Sequence, residues 1–227
     1  MSQWVQVRPR GGLRFSAEEV RQILVAVGAM TLAFMFALVG GVLGVEGVLR
    51  DSGGVGILIL LVASFVAVVT AFLLHELAHK VVAQRYGCFA EFRYSLMGLA
   101  IGVLTGAFGF LFAMPGAVMI SGHVDSRQSV RISAAGPGTN LSIAGTFIAV
   151  SYFLGFSTLT YADVVSFLMG SIAFVNLFLG FFNLLPFPPL DGSKIFAFNK
   201  PLWGAMLAAT AALYFAGSSL GVFLGVF

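Results

Sequence analysis

Residues 55–79 read VGILILLVASFVAVVTAFLLHELAH, from Val55 to His79. The first twenty carry no charge, which is the length a helix needs to cross hydrocarbon, about 20 residues. The run ends in His75-Glu76-Leu77-Ala78-His79, which holds two of the three histidines in the chain. On a helix, residues four apart share a face, so His75 and His79 can aim one ring nitrogen each at a single metal ion. This is the H-E-x-x-H arrangement, in which two histidines bind zinc and the glutamate beside the first acts as general base. In a soluble helix the pattern arises by chance. Here an acid sits at membrane depth, at a cost of roughly 2.5–3.5 kcal/mol on insertion scales, and ionisable groups in such segments are functional by default.

Only 9% of the 227 residues are charged and 59% are hydrophobic. An ordinary soluble domain has about 25% charged residues, so the expectation is an all-α, multi-pass integral membrane protein. It reads as a single domain over 1–227, with its core at 55–192 and no soluble module. The formal charge of +3 comes from basic residues scattered singly among apolar segments, which argues against a nucleic-acid partner. The one cysteine, Cys88, rules out an intrachain disulfide or a thiolate cluster. No secretory signal peptide is expected, because the first apolar run is long and lacks a cleavage site.

Ser16 and Glu19 read as a capping box that starts a helix near Ala17. Its apolar part, Ile23 to Val45, can span. Gly40 and Gly44 form a weak G-x-x-x-G pair. Glu46 to Gly54 reads as a turn. The motif helix opens at Val55 and runs on through Lys80 and Arg85, expected to mark its exit into water, with Tyr86-Gly87 as its stop. Phe89–Tyr94 is a candidate strand. Leu96–Ser121 is apolar but holds Gly98, Gly102, Gly106, Gly109, Pro115 and Gly116, too many breakers for one clean helix. His123 lies in a polar turn and is left out of the site.

Three further spans follow. Val130–Phe156 contains Gly136-Pro137, expected to break or bend it, and then Asn140, which reads as interhelical polar packing or as a functional amide. Asp163–Leu185 ends in Asn183-Leu184-Leu185-Pro186 and runs to Leu190-Asp191-Gly192. Its prolines are expected to leave Asp191 on extended backbone at the membrane edge. Catalytic zinc usually has three protein ligands plus water. Asp191 is the best-placed carboxylate for the third, its other reading being a solvated or capping acid. Leu202–Phe227 is a final helix, with Gly217 and Gly221 as another weak pair.

The motifs at 75–79, Ala135-Gly136-Pro137-Gly138-Thr139-Asn140 and 183–192 stand in order on a membrane protein. Together they resemble the site-2 protease family of intramembrane zinc metalloproteases, over about residues 55–192. Met114-Pro115-Gly116-Ala117-Val118 is similar to that family's glycine-rich re-entrant loop. The resemblance implies one zinc per chain, held by His75, His79 and Asp191, with Glu76 as catalytic acid/base. It also implies that Asn140 holds the substrate or its developing oxyanion. The chain departs from many members in lacking a PDZ-like or CBS-like domain and in its long apolar insertion before Pro115.

The expected reaction is hydrolysis of peptide bonds in or near transmembrane segments of a protein substrate. Such a helix must unwind before attack, and the Pro115 loop or the Phe89–Tyr94 strand could pair with it as an added strand. The competing classes are a catalytically inactive metal-binding membrane scaffold and a metal transporter. A transporter spaces polar groups along its pathway, whereas this chain concentrates them at one depth. The resemblance fixes neither substrate nor oligomeric state. For His79 and Asp191 to meet, the chain must cross an even number of times between them. About five spans, with Leu96–Ser121 forming a re-entrant loop or short β-hairpin, satisfy this, the alternative being six spans if 96–121 crosses. Five spans also place eleven of the twelve basic residues on one side, with Arg50 alone opposite. The positive-inside rule makes the larger group cytoplasmic, together with the N-terminus and the active-site end.

Overall fold

In a computed structural model of the chain, residues 13–154 and 164–223 are described. Arg8 and Arg10, the expected span boundaries at Phe156 and Asp163, and the end of the last expected helix at Phe227 lie outside them. α1 (Ala17–Leu38) starts at Ser16, whose hydroxyl accepts the Glu19 N–H at 3.0 Å. The reciprocal half of the capping box is not formed, because the Glu19 carboxylate turns instead to the Lys80 ammonium and the Phe92 N–H.

α2 (Val42–Val68), a π-helical turn (Val69–Leu73) and α3 (Leu74–Arg85) run on as one apolar stretch of 44 residues. The part beyond Gly53, Gly54 to Arg85, is 32 residues, about 48 Å at 1.5 Å per residue and longer than the hydrocarbon thickness of about 30 Å. The expected turn over Glu46–Gly54 is therefore corrected: those residues are helical apart from Gly53 at φ 62°, ψ −154°, where the helix breaks. A left-handed φ is cheap only for glycine, so one residue does the work of the expected loop. The first span is also shorter than expected. It ends at Leu38, and Gly40 falls in the turn to α2 instead of packing on another helix. Lys80 does not mark an exit into water, being 1% exposed.

β1 (Phe89–Tyr94) pairs antiparallel with β2 (Gly116–Ser121), from Phe89 opposite Ser121 to Tyr94 opposite Gly116. Between them lie α4 (Leu96–Ala107) and a returning stretch that the Ser95 N–H closes onto Pro115 O at 2.9 Å. Twelve residues of helix reach about 18 Å, and the chain comes back to the strand it left. The breaker-rich segment is thus a helix and a hairpin arm.

α5 (Ser126–Phe153) begins with a complete capping box between Asp125 and Gln128. It continues through Pro137, where a break or bend was expected, lying between α3 and α6 with both of which it packs extensively. α6 (Val164–Asn183) leads through proline-rich turns to α7 (Asp191–Phe198), and α8 (Lys200–Ser219) follows. Asp191 opens α7, so it does not lie on extended backbone as expected. Beyond α8, Phe223 folds back over Gly217, a glycine in the last turn of that helix.

Four described stretches are long and apolar enough to cross a membrane: α1, Val42–Arg85, α6 and α8. α5, the remaining expected span, has the length, but its buried face carries Ser133, Asn140 and Ser151. The chain is an integral membrane protein built on helices with one small sheet. Met30, Phe34, Phe72 and Phe92 pack one core, and Leu141, Leu184, Ile195 and Phe223 another.

Candidate metal centre

One turn of α3 carries His75 and His79, both buried. Their Nε2 atoms lie 3.0 Å apart, and Oδ2 of Asp191 is 3.2 Å from the first and 3.0 Å from the second. The other ring nitrogens are both held. Nδ1 of His79 is 2.7 Å from the backbone oxygen of Ile132 on α5. A carbonyl only accepts, so this nitrogen carries the hydrogen.

The amide of Asn140 settles the tautomer of His75 by the same logic. Its Nδ2 lies 2.9 Å from Ala71 O in the π-helical turn and 3.3 Å from Oδ1 of Asn176. That edge must be the NH2, so Oδ1 is the atom facing Nδ1 of His75, at 2.5 Å. Both histidines therefore hold hydrogen on Nδ1 and turn the lone pair of Nε2 toward the carboxylate of Asp191. Three electron-rich atoms facing one another need a cation at their common focus. Ligands about 2.0–2.2 Å from a tetrahedral zinc are about 3.3–3.6 Å apart, a few tenths of an ångström wider than the separations seen, so this donor set fits zinc after a small outward shift.

Two backbone features make room for it. A Cβ at Gly136 would fall on both Nε2 atoms, which explains a glycine on the α5 face that abuts α3. Asp191 sits in the first turn of α7, where the helix dipole favours a negative charge.

Glu76 accepts the Val118 N–H of β2 at 3.0 Å. It lies with the three donor residues on a cavity of about 240 Å3, bordered by Met114 to Val118 on one side and by Phe178, Phe182, Asn183 and Lys194 on the other. The structure thus brings together His75, Glu76 and His79 of α3, Asn140 of α5 and Asp191 of α7, three segments in all. Asn140 reaches the ring of His75. Its amide hydrogens are committed to Ala71 and Asn176, which leaves none directed at a substrate oxygen.

Sequence reading missed Asn176, which is fully buried and donates to Thr70 Oγ1 at 3.0 Å and Ile172 O at 2.9 Å. An asparagine inside an apolar helix was the available signal, as it was for Asn140.

The sequence profile of Peptidase family M50 matches residues 156–203. A Methanocaldococcus jannaschii protein, provisionally named a zinc metalloprotease, is 33% identical over 193 residues, 84% of this chain and 89% of that protein. The chain belongs to peptidase family M50, the site-2 protease family. Another relative, the Mycobacterium tuberculosis protein Rip3, also provisionally named a zinc metalloprotease, is 35% identical over 173 residues, covering 76% of this chain and 38% of Rip3. A second M. jannaschii protein, named a zinc metalloprotease, is 31% identical over 137 residues, 60% of this M50 chain and 33% of that protein. No solved structure matches.

Proposed function

We propose that this chain is an intramembrane zinc endopeptidase that cuts membrane-protein substrates in or near their transmembrane segments. The observation that carries this reading is the convergence of Nε2 of His75, Nε2 of His79 and Oδ2 of Asp191 beside Glu76. These three residues would hold the metal. When bound, zinc supplies Lewis acidity that polarises the scissile carbonyl and brings the pKa of water to roughly 7.

Glu76 takes the proton from the attacking water as its oxygen bonds to the carbonyl carbon. It then delivers that proton to the departing amide nitrogen as the C–N bond breaks. Asn140 and the Ile132 carbonyl orient the two imidazoles, the outer-shell task that metal-bound histidines require.

The substrate must present extended backbone. The outer N–H groups of β1 are already taken, Phe92 by Glu19 and Tyr94 by Gln22. Gly116, Val118 and Ile120 on β2 share one direction, away from β1 and toward the cavity. The Val118 N–H is itself held by Glu76, so what favours β2, of the two segments the sequence offered for strand addition, is that Gly116 to Val118 and Ile120 line the cavity while β1 does not. The hairpin's return to its own starting strand supports re-entry of Leu96–Ser121, with the N-terminus and catalytic end cytoplasmic.

Incubation of purified, zinc-loaded protein with a single-span membrane substrate, followed by mass spectrometry of the fragments, tests the function. Cleavage in or beside the transmembrane segment is expected. Absence of fragments at full zinc content would contradict it.

A further inference from the structure

Glu19 and Lys80 form an ion pair, at 0% and 1% exposure, that the proposed chemistry does not use. The Phe15 ring covers the ammonium, with Nζ 4.2 Å from its centroid. Stability alone does not account for the pair, since buried ion pairs are often replaced by apolar residues at no loss. Its placement suggests a different role. Oε2 of Glu19 takes Lys80, and Oε1 accepts the Phe92 N–H at 2.9 Å. Phe92 pairs with Val118 across the hairpin. The Val118 N–H reaches Glu76 at 3.0 Å. Lys80 lies four residues past Glu76 on α3, on the same face. The contacts close a ring, Glu19 to Lys80, one helical turn to Glu76, then Val118, Phe92 and back to Glu19, around a small gap that all five residues line.

We propose that Glu19 is a positioning residue. By accepting from Phe92 while paired with Lys80, it sets the height of the hairpin over Glu76, and so sets where a strand added to β2 presents its peptide bond. Gln22, one turn further along α1, holds the Tyr94 N–H at 3.1 Å and extends the same grip on β1. The inference rests on the protease reading for its consequence, but its geometry does not.

Two charge-free double variants of the full chain separate the acceptor from the ion pair. Glu19→Gln with Lys80→Met keeps a carbonyl oxygen for Phe92. Glu19→Leu with Lys80→Met removes it, and neither leaves a lone buried charge. The measurements are kcat and KM on a membrane substrate, zinc content, and hydrogen–deuterium exchange in peptides covering 89–94 and 116–121.

The glutamine variant should match wild type in all of them. The leucine variant should keep its zinc, exchange faster in both strands and lose kcat on the order of 10²-fold with little change in KM, the scale expected when reacting groups are misplaced by about 1 Å. Wild-type kcat and exchange in the leucine variant would overturn the proposal. So would equal losses in the two variants, or loss of zinc from the leucine variant alone. If the wild type cuts nothing, the protease reading falls by that result. The exchange contrast between the variants would still decide whether Glu19 anchors the hairpin.

Discussion

Oδ1 of Asn140 lies 2.5 Å from Nδ1 of His75, with both residues buried and on different helices. This contact makes the asparagine a partner of His75, a proposed metal ligand. Asn140→Ala should lower zinc affinity and activity together, by roughly 10–100-fold, the usual loss for an outer-shell partner. Competition against a graded chelator measures the affinity. A fall in kcat at unchanged zinc affinity would instead place Asn140 on the substrate.

Gly136→Ala should expel the metal with little change in helix content. The added Cβ has nowhere to go except onto the Nε2 atoms of His75 and His79. Elemental analysis of the detergent-purified variant reads the outcome, and one zinc per chain would refute the close approach of α5 to the site.

Asp191→Ala should likewise reduce bound zinc, because it removes a carboxylate oxygen that lies within 3.2 Å of both imidazoles. An unchanged zinc content would take Asp191 out of the ligand set.

The metal motif was legible because its information is local: two histidines four residues apart on one helix share a face in any context. The strand at Phe89–Tyr94 and the failure of Leu96–Ser121 to form one helix were legible for the same reason, being set by aromatic alternation and by clustered glycines. What stayed hidden depended on partners distant in the chain. Lys80 at the end of an apolar run looks like a membrane exit, and its partner Glu19 lies 61 residues away. Pro137 looks like a breaker until α3 and α6 pack around its helix. Thr70 was hidden because the π-helical turn at Val69–Leu73 inserts a residue into the period. Faces read before that turn do not continue after it.

The hairpin geometry also has a consequence for topology. Ser126→Cys and Lys194→Cys, each in a Cys88→Ser background, should react with a membrane-impermeant thiol reagent from the same side, the cytoplasmic one. Labelling from opposite sides would mean that Leu96–Ser121 crosses the membrane.

The central claim, that Glu76 moves the proton at a zinc centre built by His75, His79 and Asp191, comes down to one variant. Glu76→Gln keeps the side chain's size and its ability to accept from Val118, and removes only the basic carboxylate. The purified variant should hold one zinc per chain and leave a membrane substrate intact over times in which wild type cuts it completely. Cleavage at the wild-type rate by the zinc-loaded variant would contradict the assignment.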